Sequence, residues 1–193
     1  MTTWSSVDAY NRIVPADITT VDPTLTHGTI VGWHIIPDAL AGDPVAMAAG
    51  LVLAADAVTV QVSSVANYAA AWSATLTATC AGAITGGFTS SALGTPHTYP
   101  NDPTSQTNLM GSVLASMLPG VPATWTTAYW CMDTAGSWAF QPHTIPQIQQ
   151  AGADGKAWVL GCQTQLATMR SQAAAATTIA QIQAIVWTPP TIS

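Results

Sequence analysis

The sequence contains no glutamate, and its 193 residues include only three basic side chains, Arg12, Lys156 and Arg170. Charged residues make up 6% of the chain, against a usual share of about 25%. Neutralising phosphates needs clustered Lys or Arg, so three scattered cations at a net charge of −6 exclude nucleic acid as a partner.

Surface charge is also what usually keeps protein monomers apart in solution. With so little of it, the surface must be covered mainly by Thr, Ser, Gln, Asn and Ala. The composition therefore predicts a surface that other subunits cover, in a homo-oligomer for which a trimer is one option. A charge-poor monomer is the alternative.

Long apolar runs are missing too. The longest, roughly Pro44 to Ala55, stops at Asp56 and is shorter than the ~20 residues that a bilayer requires, so no membrane span is expected. The opening MTTWSSVDAYNR lacks the basic and apolar regions of a signal peptide. The three cysteines have no CxxC spacing, which predicts buried thiols in a protein made in a reducing cytoplasm. They are Cys80, Cys131 and Cys162, and a disulfide between two of them stays open.

Catalytic motifs are absent from the sequence, which has no HExxH, GxSxG, P-loop or GxGxxG pattern. The stretch TPHTYPNDPTSQTNLM brings His97 and Asp102 within six positions and supplies the best candidate for a hydrolytic pair. However, Asp102 followed by Pro103 is typical of a helix N-cap with proline at the first helical position. His97 and His143, each directly after a proline, are interpreted as loop or cap residues. We therefore expect no enzyme activity, no metal and no cofactor, although a Cys–His nucleophile pair stays open.

The order of patterns along the chain predicts an α+β protein in three parts. Residues 1–27 are expected to form an extended arm that becomes ordered only against a neighbouring chain, because they contain too little apolar surface to fold alone. Residues 28–62 are expected to form a small β module, beginning with a strand over Gly28–Ile36. Residues 63–193 are expected to form a helix-hairpin-helix-hairpin-helix domain. The predicted assembly contacts of the arm are Trp4, Tyr10 and Ile13.

Several elements of residues 63–193 have local signals of their own. The Ala-rich stretch after Ser64 predicts a helix that stops at Gly86-Gly87. The second helix is expected to bury a stripe of Leu109, Val113 and Met117. TWTTAYWCM and SWAF flank the turn Asp133–Gly136, which predicts a β-hairpin. Capping boxes at 144–147 and 178–181 predict a long and a short helix.

Tryptophan is present in excess, with eight in the chain. Trp125, Trp130 and Trp138 cluster on the predicted second hairpin, where exposed rings would bind a glycan or a protein partner. The alternative is that they pack beneath the long helix.

The C-terminal half resembles a domain of unknown function that is common at the C-terminal end of tailed-bacteriophage tail and tail-fibre proteins. The resemblance runs from about Tyr99 to Trp187 and is carried by the segments YPNDPTSQTNLM, YWCMDTAGSWAF, HTIPQIQQ and AAAATTIAQIQAIVW. It implies a non-enzymatic structural component of a virion, in the tail, baseplate or tail-fibre apparatus, that attaches to other virion proteins and to itself. Its location would be the virion, after synthesis in the host bacterial cytoplasm. A receptor- or glycan-binding module with an aromatic hairpin is the alternative function.

Overall fold

The structure, a computed structural model, describes residues 2–23 and 32–191. Helices and antiparallel strands occupy separate stretches of this chain, so the α+β class is confirmed. The chain divides into two compact units, of which unit 1 is Met1–Leu76 with Met169–Val186 and unit 2 is Thr77–Thr168 with Trp187–Ser193. The predicted boundaries after residues 27 and 62 divide the chain differently, because a boundary drawn along the sequence does not detect the packing of distant segments.

Unit 1 contains two small antiparallel sheets. Strand β1 (Thr3–Ser6) pairs with β2 (Trp33–Ile36), and β3 (Leu51–Leu53) pairs with β4 (Val60–Val62). The last four residues of the predicted strand 28–36 therefore form β2, whereas residues 28–31 lie outside the described part of the chain.

Two short helices, α1 (Asp38–Ala41) and α2 (Pro44–Ala49), connect β2 to β3. The side chain of Asp43 accepts hydrogen bonds from the amides of Val45 and Ala46, so α2 has the Asp-then-Pro start that the sequence pattern identifies elsewhere.

The N-terminal segment differs from the predicted extended arm, of which residues 1 and 24–27 lie outside the described chain. Ile13 is 7% exposed and belongs to the core of unit 1, and its amide donates to the carbonyl of Leu51. Trp4 pairs with Ile35 across the β1–β2 sheet and forms a bridge with Thr19. The few apolar side chains of the N-terminal segment are ordered because they share a core with residues much later in the chain. Ile13 is thus a core residue rather than an exposed assembly contact.

The core of unit 1 joins the two sheets to segments from three helices. Tyr68 and Ala69 come from helix α3 (Val65–Thr85), and Ala173 comes from the end of the long helix α5 (Ile145–Ala175). Ile182, fully buried, comes from helix α6 (Ile179–Gln183). Thr178 and Gln181 form both halves of the predicted capping box at the start of α6.

Unit 2 is built on a four-stranded antiparallel sheet in the order β5-β6-β7-β8. The strands are β5 (Phe88–Ser90), β6 (His97–Tyr99), β7 (Thr126–Met132) and β8 (Trp138–Thr144). Helix α3 ends at Thr85, and Gly87 has a φ of 105° with the Tyr99 carbonyl oxygen only 2.7 Å from where a Cβ would stand. A side chain at this position would be both strained and obstructed, which accounts for the glycine after the helix.

Helix α4 (Pro103–Ser116) connects β6 to β7 and packs closely against α5 in unit 2. A Cβ on Gly152 would lie 2.6 Å from Cγ2 of Val113, and one on Gly155 would lie 2.9 Å from Cζ of Phe88. Glycines in the middle of a helix ordinarily weaken it. Here they let neighbouring side chains pack directly on the helix backbone, which joins α5 to the core around Tyr99, Leu109 and Ile148.

Candidate functional site

The second hairpin, β7 with β8, is the candidate functional site. Its two strands pair in a continuous seven-residue register from Thr126↔Thr144 to Met132↔Trp138. The Asp133 side chain fixes the turn, because its Oδ1 accepts from the amides of Ala135 and Ser137 at 2.9 Å each. Gly136 adopts a φ of 85° in this turn. The predicted hairpin and its turn chemistry are confirmed.

Side chains alternate strictly between the two faces of this hairpin, as expected for a half-buried antiparallel pair. Tyr129, Cys131 and His143 point to the core of unit 2, with exposures of 6%, 1% and 0%. The other face presents Trp130, Trp138 and Phe140, which are 40%, 41% and 67% exposed. We call these three residues the aromatic face.

Trp130 contacts both of the other rings of the aromatic face. Trp130 and Trp138 are diagonal neighbours across the strands, with ring centroids 6.1 Å apart and planes within 13° of parallel. Trp130 lies directly opposite Phe140, at a centroid distance of 4.9 Å and an interplanar angle of 59°. Neither strand contains Asp, Glu, Lys or Arg. The arrangement is a contiguous uncharged platform that is suited to binding an apolar or ring-shaped partner.

The hairpin also leaves strand edges open. β8 is an outer strand of the sheet, and the register of β7 with β6 consists of the single pair Thr98↔Met132. Within the described chain, the first six residues of β7 therefore have a strand partner on one side only. Open edges offer backbone N–H and C=O groups to another chain, and they lie beside the aromatic face.

Trp125, which was predicted to share this surface, lies elsewhere. It precedes the first strand residue, its amide donates to the Pro122 carbonyl at 2.9 Å, and its ring packs against the core of unit 2. The prediction for Trp125 was therefore wrong, whereas Trp130 and Trp138 do lie together. Phe140 was missed, although the period-two alternation of SWAF places it on the same face as Trp138.

The inner face of the hairpin is fixed by polar contacts. The Tyr99 hydroxyl lies 2.8 Å from His143 Nε2, and His143 Nδ1 lies 2.9 Å from the Gln141 carbonyl oxygen. Burial lowers the pKa of His143, against an opposing effect of the Gln141 carbonyl. The Tyr129 hydroxyl donates to the Ser105 carbonyl, and burial raises the pKa of Tyr129 to about 12. His143 is thus a buried strand residue, and its interpretation as a loop or cap residue was wrong.

The opening of α4 gives Asp102 a structural role. Its Oδ1 accepts from the amides of Thr104 and Ser105 at 3.0 and 3.1 Å, and its Oδ2 accepts from the Ser105 hydroxyl. The Ser105 hydroxyl and these amides lower the pKa of Asp102. His97 instead makes its side-chain hydrogen bond through Nδ1 with the Thr95 carbonyl oxygen. The predicted N-cap is confirmed, and each member of the candidate hydrolytic pair has other partners.

The three cysteines lie inside the protein, and Cys80 Sγ is 3.5 Å from the Cys162 carbonyl oxygen. Burial raises the pKa of Cys80, Cys131 and Cys162, all of which are free and buried. Among the described residues, no three His, Cys, Asp or Glu side chains come together in a way that could hold a metal ion.

The three assembly contacts predicted near the N-terminus differ in their exposure to solvent. Tyr10 is 79% exposed, with the guanidinium of Arg12 lying 5.2 Å above its ring centroid. Trp4 is half-buried in the β1–β2 sheet, and Ile13 is in the core. Tyr10 is therefore the one predicted contact of this group that a partner could reach freely.

A second uncharged surface lies on α4. Leu109 is buried and Val113 packs on the core as predicted, but Met117 ends the helix and is 67% exposed. The stripe prediction was wrong for Met117 because the inward face follows Leu109 and Val113 to Ser116 instead. The outward face of α4 and the two residues that follow the helix carry four exposed apolar side chains, namely Met110, Leu114, Met117 and Leu118.

Within residues 2–23 and 32–191, no helix is both long and apolar enough to cross a bilayer.

Comparison with known proteins identifies one family. The model of a domain of unknown function, DUF4376, matches residues 65–186, from the start of α3 to the residue before Trp187. The match includes the aromatic face, α4 and the whole of α5. No curated protein and no solved structure matches the chain. Because the match covers more than half of its residues, the chain belongs to the DUF4376 family of domains of unknown function.

Proposed function

We propose that the protein is a non-enzymatic structural component of a tailed-phage virion, in the tail, baseplate or tail-fibre apparatus. It attaches there to other virion proteins and to copies of itself, after synthesis in the host bacterial cytoplasm. In this proposal residues 63–193 act as a phage-tail-type attachment domain of helix-hairpin-helix-hairpin-helix design. The resemblance of the segments between Tyr99 and Trp187 to tail and tail-fibre proteins supports the virion setting.

The observation that carries the proposal is the aromatic face. Three large rings, of which Trp130 contacts the other two, stay 40–67% exposed on a hairpin whose strands carry no charge. Burying a large apolar side chain contributes about 1.5–3 kcal/mol. Covering the face with another subunit would therefore contribute several such increments, with no charged group to desolvate.

The composition supports the same conclusion. In a chain with a net charge of −6 and only 12 charged residues, few repulsions oppose association. The exposed apolar side chains of α4 add a second uncharged surface on the same unit. Two such surfaces would let one copy contact two neighbours, as a repeating assembly requires.

The first experiment tests the virion setting. Purified particles of the phage that encodes the chain are analysed by mass spectrometry and by electron microscopy with an antibody against residues 63–193. We expect stoichiometric presence in mature particles and labelling of the tail. Absence from mature particles would contradict the proposal.

The second experiment tests the surface. Trp130→Thr with Phe140→Thr keeps β-branched residues in the strands while removing two rings. We expect the variant to fold, to lose self-association in sedimentation equilibrium, and to be depleted from particles. The matched control is Val58→Thr, at a side chain that is 73% exposed in unit 1. Unchanged association of the double variant would show that contacts use another surface.

Glycan binding is the second candidate function, and the near-parallel planes of Trp130 and Trp138 favour it. Two stacked indoles form an apolar surface for the C–H face of a sugar ring. The measurement is glycan-array binding by the wild type, by Trp130→Ala and by Trp138→Ala. Binding that survives both substitutions would exclude the aromatic face as the glycan site.

A further inference from the structure

A cleft in unit 2 lies beside β5, the outer strand at the opposite edge of the sheet from β8. Residues 86–91 line one side of it, and Gln150, Asp154 and Trp158 of α5 line another, with Pro190 at its border. Its volume is about 680 Å³, within the size range of small-molecule sites. Neither the aromatic face nor the exposed side of α4 contributes to it.

The Asp154 carboxylate is held in place inside this cleft. Its Oδ2 accepts from the Ser90 hydroxyl at 2.5 Å, and its Oδ1 accepts from Gln150 Nε2 at 2.6 Å. Ser90 is itself 3% exposed and also accepts from the Ala92 amide, so its hydroxyl has a fixed orientation. Each carboxylate oxygen has more than one acceptor site. Asp154 is thus oriented by the protein and can still accept hydrogen bonds from a ligand.

Two threonine hydroxyls supply further polar groups. Thr89 and Thr98 are directly opposite each other in the β5–β6 register, and both line the cleft. Within residues 2–23 and 32–191, neither hydroxyl has a hydrogen-bond partner. A hydroxyl both donates and accepts, so this pair can match the hydroxyl groups of a ligand.

An aromatic side chain of α5 also lines the cleft. The indole N–H of Trp158 donates to the Ala83 carbonyl at 3.1 Å, which fixes the ring at the border of the cleft, and Phe88 lies beside it. None of the three basic residues, Arg12, Lys156 and Arg170, lines the cleft. An anionic ligand would meet the Asp154 carboxylate without a compensating cation.

We propose that this cleft binds a neutral saccharide. The oriented carboxylate and the two free hydroxyls would bind sugar hydroxyls, and Trp158 would contact the apolar side of the ring. The site does not depend on the proposed virion role, and it is separate from the aromatic face. A failure of one proposal therefore leaves the other standing.

The test is a titration of the full ¹⁵N-labelled chain followed by NMR, with glucose, galactose and N-acetylglucosamine as separate probes. The Trp158 indole signal is assigned by its loss in Trp158→Phe. We expect at least one sugar to shift the Trp158 indole and the Thr89 and Thr98 amides saturably. Tetramethylammonium and inorganic phosphate, which carry charge and no sugar hydroxyls, should leave these signals unchanged.

Two variants assign the binding to the cleft. Asp154→Asn should raise the Kd about tenfold, and Thr98→Val, which keeps the branched shape, should raise it about fivefold. Thr126→Val on the outer face of the hairpin is the matched control and should leave the Kd unchanged. If thermal unfolding shows that Asp154→Asn is misfolded, Thr98→Val decides alone.

Several outcomes would overturn the proposal. They are the absence of a saturable shift with all three sugars, shifts with tetramethylammonium or phosphate alone, and a Kd that Thr98→Val does not change. Sugar-induced shifts confined to Trp130 and Trp138 would likewise overturn it, and would support the aromatic face as the glycan site.

Discussion

The Tyr99 hydroxyl and the His143 imidazole form a buried hydrogen-bonded pair, with 2.8 Å between Oη and Nε2. Because His143 Nδ1 donates to the Gln141 carbonyl, Nε2 is the acceptor of the neutral ring and the Tyr99 hydroxyl is the donor. Protonating His143 would place a hydrogen on Nε2, which could then no longer accept from the Tyr99 hydroxyl. The protonation state of His143 therefore affects the stability of the core of unit 2.

This pair predicts lower stability in mild acid. Burial lowers the pKa of His143 below its ordinary value of 6.5, so the unfolded chain binds the proton at a higher pH than the folded chain. The free energy of unfolding should then fall as the pH drops below about 6.5, until the folded pKa is passed. Urea unfolding at intervals between pH 7.5 and pH 5 measures this change in the free energy of unfolding.

Two substitutions sharpen the pH test. His143→Gln should weaken the pH dependence, although it also lowers stability at pH 7.5. His97→Gln, at the histidine whose charge lies near His143, should retain most of it. An equal free energy of unfolding for the wild type at pH 7.5 and pH 5 would contradict the prediction.

A second prediction compares two helical glycines. An alanine at Gly152 would place its Cβ 2.6 Å from Cγ2 of Val113, a branched side chain with little freedom to move. Gly152→Ala should therefore lower the free energy of unfolding by about 1–3 kcal/mol through overpacking. Gly111, inside α4, has no atom within 4 Å of a built Cβ. Gly111→Ala should raise it by about 0.5–1 kcal/mol through helix propensity. Chemical unfolding of both variants measures the two changes. Equal effects would show that the close approach of Val113 does not require a glycine at position 152.

A third prediction concerns the hydrogen bonds of Tyr68 in unit 1. Its hydroxyl donates to Asp43 Oδ2 at 2.7 Å and accepts from Gln183 Nε2 at 3.1 Å, so it joins α2 and α6 to α3. Tyr68→Phe should cost about 1 kcal/mol of stability, because it keeps the buried ring and removes both bonds. Tyr10→Phe, at a ring that is 79% exposed, is the control and should change stability by less than about 0.5 kcal/mol. Indistinguishable midpoints for the two variants would contradict this role.

The cysteines give a fourth prediction. Cys80, Cys131 and Cys162 are 3%, 1% and 0% exposed, and burial raises the pKa of each thiol. An aromatic disulfide reagent at pH 8 should therefore label none of them in the native protein, because both access and thiolate are lacking. All three should react in urea, at a rate that follows unfolding. Rapid labelling of one thiol without denaturant would indicate a local opening in unit 2, which contains all three.

The features predicted from the sequence are those set by a few neighbouring residues. The cap at Asp102, the capping box at Thr178 and the turn at Asp133 each depend on contacts within about four positions, and all three are present. For the same reason the hairpin could be identified, and with it two members of the aromatic face.

The features that were missed depend on distant contacts. Ile13 bonds to Leu51 and belongs to a core cluster that includes Ala173 and Ile182, which no local pattern around Ile13 indicates. Trp125 and Trp130 have similar sequence surroundings, yet the strand begins at Thr126, so only Trp130 follows the alternation. The role of Gly152 is also nonlocal, because it depends on the position of Val113.

Unit 1 is discontinuous, and this has a consequence for the order of events during synthesis. Met1–Leu76 leaves the ribosome first, but the unit also needs Ala173 and Ile182, which follow the roughly 90 residues of Thr77–Thr168. At about 5–20 residues per second, the nascent segment waits roughly 5–20 s for the rest of its core. During that interval Tyr68 and its neighbours cannot pack against Ala173 and Ile182 and stay exposed to solvent. The chain has little charge to oppose aggregation in this state. Unit 1 can therefore be completed only after translation of unit 2 is nearly finished.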